Sequence, residues 1–172
     1  MRKKKEMRRL AGTLIDPIRI PIPADPEALF DALVESVSQW RGREVVVHRR
    51  VFPPHTASGL WLDGAHHDDV VIDKRAAVWH QIVIFCHEVW HMHQQGGGDL
   101  DEPGDGPRLV AARTDFSLAD EQEADLFGML MGRRLRTWLE APADSVYAAD
   151  STGAQNLSGR IGAALNYRGT RG

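Results

Sequence analysis

One segment, residues 73–95, is apolar around most of a helical circumference and is followed at once by three glycines. A helix of this kind must be buried, because it has no wide polar face to turn toward water. Asp73 is a suitable N-cap, and the glycines at 96–98 are a strong stop signal. The segment therefore predicts a central helix against which the rest of one domain packs.

The same predicted helix carries the motif His87-Glu88-Val89-Trp90-His91. Residues four apart differ by about 40° around a helix axis, so His87 and His91 project from one face and can share a metal ion. Glu88 lies beside them, where it can accept a proton from a water molecule. The motif predicts a zinc site with Glu88 as general base. The alternative is that both histidines are simply satisfied on a buried helix.

A catalytic zinc site needs a third protein ligand and an open fourth position. Four later residues with helical spacing share one face of a predicted helix: Glu121, Ala124, Asp125 and Gly128. The small residues among them would let this helix approach the first one closely. We expect Glu121 to be the third ligand and Asp125 to orient a ligand histidine through its other ring nitrogen. Glu123 points away from this face and is expected to be solvated.

The remaining elements are indicated by turn and cap residues. Asp25 and Pro26 open a helix that Gly42 ends. Three short apolar runs at 44–52, 58–62 and 69–72 predict a small sheet, antiparallel at least in part. A capping box at Ser117 and Asp120 opens a last helix that continues to about Glu140, with Leu118 and Leu126 among its core candidates. The expected fold is α+β, with a small, mostly antiparallel sheet packed on the two site helices.

Charge and composition divide the chain into three predicted parts: a basic arm and extended segment at 1–24, a domain at 25–140, and an Ala/Gly/Ser-rich tail at 141–172. The tail is expected to be partly disordered or to hold one short docked helix. Residues 1–9 hold six Lys or Arg and one Glu, whereas the whole chain has a net charge of −3. The body is therefore acidic, and direct nucleic-acid binding is not expected because it requires a basic face. The arm is predicted to be a solvated, mobile terminus.

Targeting signals and disulfides are not expected either. No apolar run reaches the roughly 20 residues needed to cross a bilayer, and the basic start is not followed by the apolar region of a signal peptide. Cys86 is the one cysteine of the chain, so it cannot form an internal disulfide. These features predict a cytoplasmic protein without a membrane partner.

The motif residues resemble those of the ImmA/IrrE family of small cytoplasmic metallopeptidases. The resemblance covers roughly residues 25–140 and rests on four stretches: His87-Glu88-x-x-His91, Ser58-Gly59-Leu60-Trp61, Val70-Val71-Ile72, and Glu121-x-x-Ala124-Asp125-x-Phe127. It implies a zincin-like core in which His87, His91 and Glu121 hold one zinc ion and Glu88 is the catalytic base. It also implies a helix-turn-helix repressor as partner, which such proteins cleave or inactivate. Some relatives resemble the toxin side of toxin–antitoxin pairs.

Two positions depart from the family pattern. Val89-Trp90 replaces the usual Leu-Gly inside the motif, and Gly128 stands where Ala is common. A bulky indole near the site could narrow the cleft or signal lost peptidase activity.

The leading hypothesis is a zinc-dependent endopeptidase that hydrolyses a peptide bond in a regulatory protein. The alternative is a catalytically weak, zinc-stabilised binding module, or a toxin-like component, that controls a repressor by docking. Glu88 favours the enzyme, because a structural zinc site has four protein ligands and needs no carboxylate beside a water molecule. No oxyanion donor can be named, since ordinary solvated or core roles better explain the weak candidates His66, His67, His80, His93 and Tyr147.

Overall fold

The computed structural model describes residues 1–95, 110–111 and 116–140. It is a mixed α+β structure, which confirms the expected fold class. In chain order, the elements are α1 (Arg2–Ile15), α2 (Pro26–Arg41), β1 (Val45–Arg50), β2 (Gly59–Asp63), β3 (Asp68–Asp73), α3 (Val78–Gln95), β4 (Val110–Ala111) and α4 (Leu118–Leu139). The tail at 141–172 lies outside the described residues. No helix in the described ranges is long and apolar enough to cross a membrane.

The sheet has the strand order β1–β3–β2–β4. Its two pairings that involve β2 are antiparallel, and β1 pairs parallel to β3. Alternate residues of β3 are buried, so one face of that strand packs into the core. The three predicted strands are all present, and β4 is a fourth, two-residue strand at the edge.

Helix α2 begins and ends where its cap residues predict. The Asp25 side chain accepts a hydrogen bond from the Ala28 backbone N–H at 3.2 Å. Pro26 is the first helical residue, and Gly42 ends the helix with a left-handed φ of +74° that glycine adopts without strain. These local signals need no tertiary context, which is why the sequence predicts them well.

Helix α3 begins at Val78, so the predicted N-cap role of Asp73 was wrong. Asp73 is the last residue of β3, and its carboxylate accepts hydrogen bonds from the backbone N–H and Nε of Arg75, both at 3.0 Å. The side chain therefore caps a turn between strand and helix. An aspartate before an apolar run can stabilise either structure.

The capping box of α4 is present, with the Asp120 N–H donating to Ser117 Oγ at 3.2 Å and the Ser117 N–H donating to Asp120 Oδ2 at 3.0 Å. Two of the core candidates on this helix were wrong. Leu118 is 76% exposed and Leu126 is 56% exposed. The buried face of α4 is instead formed by Ala124, Phe127, Gly128, Met131, Gly132 and Leu135.

The prediction of a solvated basic arm was also wrong, because residues 2–15 form α1 and this helix packs on the core. Its buried stripe has helical spacing: Met7, Leu10, Ala11 and Leu14. The Ser36 hydroxyl of α2 donates to the Leu14 carbonyl at 2.6 Å, which fixes the end of α1 against α2. The basic side chains at positions 2–5, 8 and 9 remain exposed.

A buried charge cluster joins the end of α2 to the sheet. Asp68 is fully buried and accepts hydrogen bonds from Arg41 Nε at 2.7 Å, Arg43 Nη2 at 2.6 Å and Trp61 Nε1 at 2.9 Å. Burial by itself raises the pKa of this carboxyl, but the three donors outweigh it and lower the pKa below its ordinary value. The cluster therefore depends on an ionised Asp68.

Candidate metal centre

Two glycines on α4 allow it to pack closely against α3. A Cβ atom on Gly128 would lie 2.9 Å from the Val83 carbonyl oxygen, and one on Gly132 would lie 3.0 Å from Val83 Cγ2. A larger residue at Gly128 would press on the backbone of α3 and push the helices apart, whereas one at Gly132 would first displace the Val83 side chain. The close approach brings the acidic residues at the start of α4 opposite the motif histidines of α3.

His87, His91 and Glu121 lie together at this junction, with one ligand atom of each within 4.8 Å of the others. Glu121 Oε2 is 3.2 Å from His87 Nε2, and Glu121 Oε1 is 3.4 Å from His91 Nε2. The two Nε2 atoms are 3.1 Å apart. The structure thus brings together the three residues that the sequence analysis expects as ligands, and their role as ligands stays a prediction.

Asp125 lies behind this group. Its Oδ1 is 2.8 Å from His87 Nδ1, so the other ring nitrogen of His87 faces Glu121. This is the arrangement by which a carboxylate fixes the tautomer and orientation of a ligand histidine. Glu123, in contrast, points to the other side of α4, where it is half-buried and forms an ion pair with Lys3 of α1 at 3.1 Å. It is therefore not simply solvated.

Phe116 covers one side of His91, and the sequence analysis did not single it out. The two rings are stacked with centroids 3.8 Å apart and planes 23° from parallel. This contact holds the imidazole plane of a buried residue. Phe116 precedes the capping box of α4, and no motif spacing links it to His91.

Glu88 is only 4% exposed, yet it lines the same cavity as His87 and Glu121. Gly59 on β2 leaves room for the Glu88 side chain, because glycine has no Cβ atom there. A Cβ atom on Gly59 would lie 2.9 Å from Glu88 Oε1 and 2.4 Å from Ile84 Cγ2. The bare backbone of Gly59 therefore leaves the space that the Glu88 carboxylate occupies.

The cavity between β2, α3 and α4 has a volume of about 360 Å³. This size is sufficient for a side chain and adjoining backbone of a bound peptide. Its wall combines the acidic and imidazole groups with four apolar side chains, Ala57, Val83, Ile84 and Met129. His80 also lines it, whereas Tyr147 lies outside the described residues.

The expectation that Trp90 narrows this cleft was wrong. Trp90 is fully buried and packs on Phe127 and His93, with ring centroids 5.1 and 5.2 Å away. It is not among the described residues that line the cavity. Position 90 lies about 100° from His91 around the axis of α3, which turns the indole into the core between α3 and α4.

The donor set fits a zinc ion. Two imidazole nitrogens and one carboxylate oxygen lie close together on two packed helices, and two of these residues, His87 and Glu121, also line the adjoining cavity. Fold and site together define an α+β protein with a candidate His/His/Glu metal centre. Comparisons with protein-family models, with curated proteins and with solved structures found no match to this chain.

Proposed function

We propose that this protein is a zinc-dependent endopeptidase with a zincin-like core that cleaves a regulatory protein. The observation that carries the proposal is Glu88, a buried carboxylate that lines the same cavity as two of the three candidate ligands, His87 and Glu121. A site that served only to hold the fold together would need a fourth protein ligand rather than a carboxylate beside an open position. The resemblance of the motif residues to the ImmA/IrrE family supports a helix-turn-helix repressor as the substrate.

In this proposal His87, His91 and Glu121 hold the zinc ion. Zinc, when bound, acts as a Lewis acid that polarises a carbonyl group and lowers the pKa of a water molecule. Asp125 accepts a hydrogen bond from His87 Nδ1–H and so keeps the lone pair of Nε2 directed toward the centre. Phe116 holds the ring of His91 by stacking.

Glu88 provides the proton transfers. It accepts a proton from the attacking water as the water oxygen bonds to the peptide carbonyl carbon. It then donates that proton to the nitrogen of the leaving amine as the carbon–nitrogen bond breaks. His80 stands on the same face of α3, two turns before His87, and lines the cavity. At 1.5 Å per residue it stands about 10 Å from His87 along the helix axis, too far to donate to a carbonyl oxygen held at the candidate ligands.

The test is Glu88→Gln, because the amide keeps the shape of the side chain but cannot accept the proton. The variant should bind zinc as the wild type does and should cleave about 10²–10⁴-fold more slowly. The candidate substrates are helix-turn-helix proteins encoded next to this chain, and their cleavage is followed as fragments on a gel. Glu35→Gln makes the same chemical change on the exposed side of α2 and should leave the rate unchanged.

The docking alternative makes the opposite prediction. It expects Glu88→Gln to relieve repression as well as the wild type does, without any fragment of the partner. Relief would then be lost only when His87→Ala removes the metal. That pair of results would overturn the peptidase proposal.

A further inference from the structure

A second cavity, of about 540 Å³, lies beside α1 and is lined by Arg2, Lys5, Glu6, Arg9, Leu10, Thr13, Trp40 and His93. We call it the α1 groove. His93 is two residues beyond His91, so it stands about 200° away around the axis of α3. The α1 groove is therefore on the side of α3 opposite to the candidate metal centre.

One wall of the α1 groove is positively charged. Arg2, Lys5 and Arg9 have the spacing i, i+3 and i+7, which places them along one side of α1 over about 10 Å. Within the described ranges none of the three forms an ion pair, whereas Lys3 is paired with Glu123 at 3.1 Å. The one carboxylate of the lining, Glu6, is 2.9 Å from His93 Nε2, within hydrogen-bonding distance.

The other wall is aromatic. The rings of Trp40 and His93 have centroids 6.1 Å apart and are tilted by 44°. Both side chains are half-buried, so their orientations are fixed by packing. Aromatic faces beside unpaired cations are the combination that binds a planar base together with its phosphate groups. An acidic peptide would use the cations and leave the aromatic wall without a partner.

We propose that the α1 groove binds a nucleotide, either free or as the terminal nucleotide of a single strand. Arg2, Lys5 and Arg9 would contact the phosphates, and Trp40 with His93 would contact the base. The volume falls in the range of sites for small ligands. The proposal does not rest on the peptidase activity, because it uses a different cavity and different residues.

The test compares two double variants of the full chain, titrated with ADP by calorimetry. Lys5→Gln/Arg9→Gln removes two cations of the groove, whereas Lys4→Gln/Arg8→Gln removes the same two residue types from exposed positions outside its lining. The groove variant should bind ADP at least about tenfold more weakly, and the control should stay within about twofold of the wild type. Equal losses in the two variants would mean nonspecific charge attraction and would overturn the proposal.

Titrations with other ligands identify the chemical class of the ligand. ADP should bind more tightly than inorganic pyrophosphate, and Trp40→Leu should reduce this difference. Because that variant also removes packing, the comparison of ADP with pyrophosphate on the wild type tests the aromatic wall without any substitution. If a 5′-phosphorylated pentanucleotide binds more tightly than ADP, the proposal is supported and the bound nucleotide is the end of a single strand. Tighter binding of a polyglutamate peptide than of both would overturn it.

ADP can also bind metal ions, so the metal centre needs its own control. His87→Ala removes a candidate zinc ligand and should leave ADP binding unchanged. Loss of ADP binding in that variant would place the ligand at the metal centre and overturn the groove assignment. Failure of the peptidase test would leave the expected ADP results unaltered, so the two proposals fail independently.

Discussion

Gly59→Ala should displace the proposed catalytic base without touching the candidate zinc ligands. The added methyl carbon would lie 2.4 Å from Ile84 Cγ2 and 2.9 Å from Glu88 Oε1, whereas ordinary contacts begin at 3.4 Å. Ile84 must therefore retreat by about 1 Å and Glu88 by about half as much. Gly59 is not one of the positive-φ glycines, so the cost is steric rather than conformational.

These displacements have two expected effects, one on stability and one on the cleavage rate. Overfilling a buried contact costs about 1–3 kcal/mol of the free energy of unfolding. Moving a general base by a fraction of an ångström to 1 Å lowers the rate of its reaction by up to about 100-fold. The zinc stoichiometry should stay at the wild-type value, because the three atoms nearest to the new methyl carbon belong to Ile84 and Glu88 and not to a candidate ligand.

The assay measures three quantities on each variant: the free energy of urea unfolding, the zinc content and the rate of partner cleavage. Gly12→Ala on α1 is the matched control, since its new Cβ would meet only Asp16 Oδ2, at 4.0 Å. In the double variant Gly59→Ala/Ile84→Ala the clashing methyl group of Ile84 is absent. The two changes should then cost less together than the sum of the single costs.

Two results would refute this reasoning. Wild-type stability and wild-type cleavage in Gly59→Ala would show that the backbone of β2 does not fix the position of Glu88. Strict additivity in the double variant would show that the contact with Ile84 is not the source of the cost.

Three further predictions concern the ligands, the buried charge and the core. Glu121→Ala should lower the zinc content far more than Glu123→Ala, and metal analysis showing equal losses would shift the ligand assignment. Asp68→Asn should cost about 3 kcal/mol of unfolding free energy, because it leaves buried donors without a charged partner. The pKa of Asp68 in the folded state is lowered from its ordinary value of 3.8, so its contribution to the free energy of unfolding is present above pH 3.8 and is lost as the pH falls below that value. In urea unfolding, the stability of Asp68→Asn should therefore fall less steeply at acid pH than that of the wild type. Trp90→Gly should destabilise the protein by about 3–5 kcal/mol in the same assay without raising the cleavage rate, because the indole fills the core rather than the cleft.

The grouping of the site residues could be predicted because it depends on helical geometry. The spacing of His87 and His91 fixes their common face, and the spacing of Glu121 with Asp125 distinguishes Glu121 from Glu123. The caps of α2 and α4 are equally local, since each depends on side chains within three residues of the helix start. Where the functional residues are close in the chain, the helical repeat alone determines which side chains share a face.

The remainder depends on contacts between distant segments. The buried stripe of α1 is present in the sequence, but the run of basic residues around it favours a solvated terminus, and only the complementary surface of α2 explains its burial. The stacking of Phe116 on His91 joins positions 25 apart without any spacing rule. Asp73 fits two local structures equally well, and the parallel pairing of β1 with β3 selects the strand end.

Helix α1 packs on α2 and α4 and reaches α3 through a charged side chain. Its charged groups contact both helices of the candidate metal centre, through Lys3 with Glu123 on α4 and through Glu6 with His93 on α3. Exposed ion pairs of this kind contribute little stability, so the buried stripe holds α1 in place and the ion pairs fix how it is rotated. Among the described residues, Glu88 lies on another side of α3, in the cavity between β2, α3 and α4. The same rotation directs Arg2, Lys5 and Arg9 into the α1 groove, so the contacts of α1 with α3 and α4 account for the cations of the second cavity.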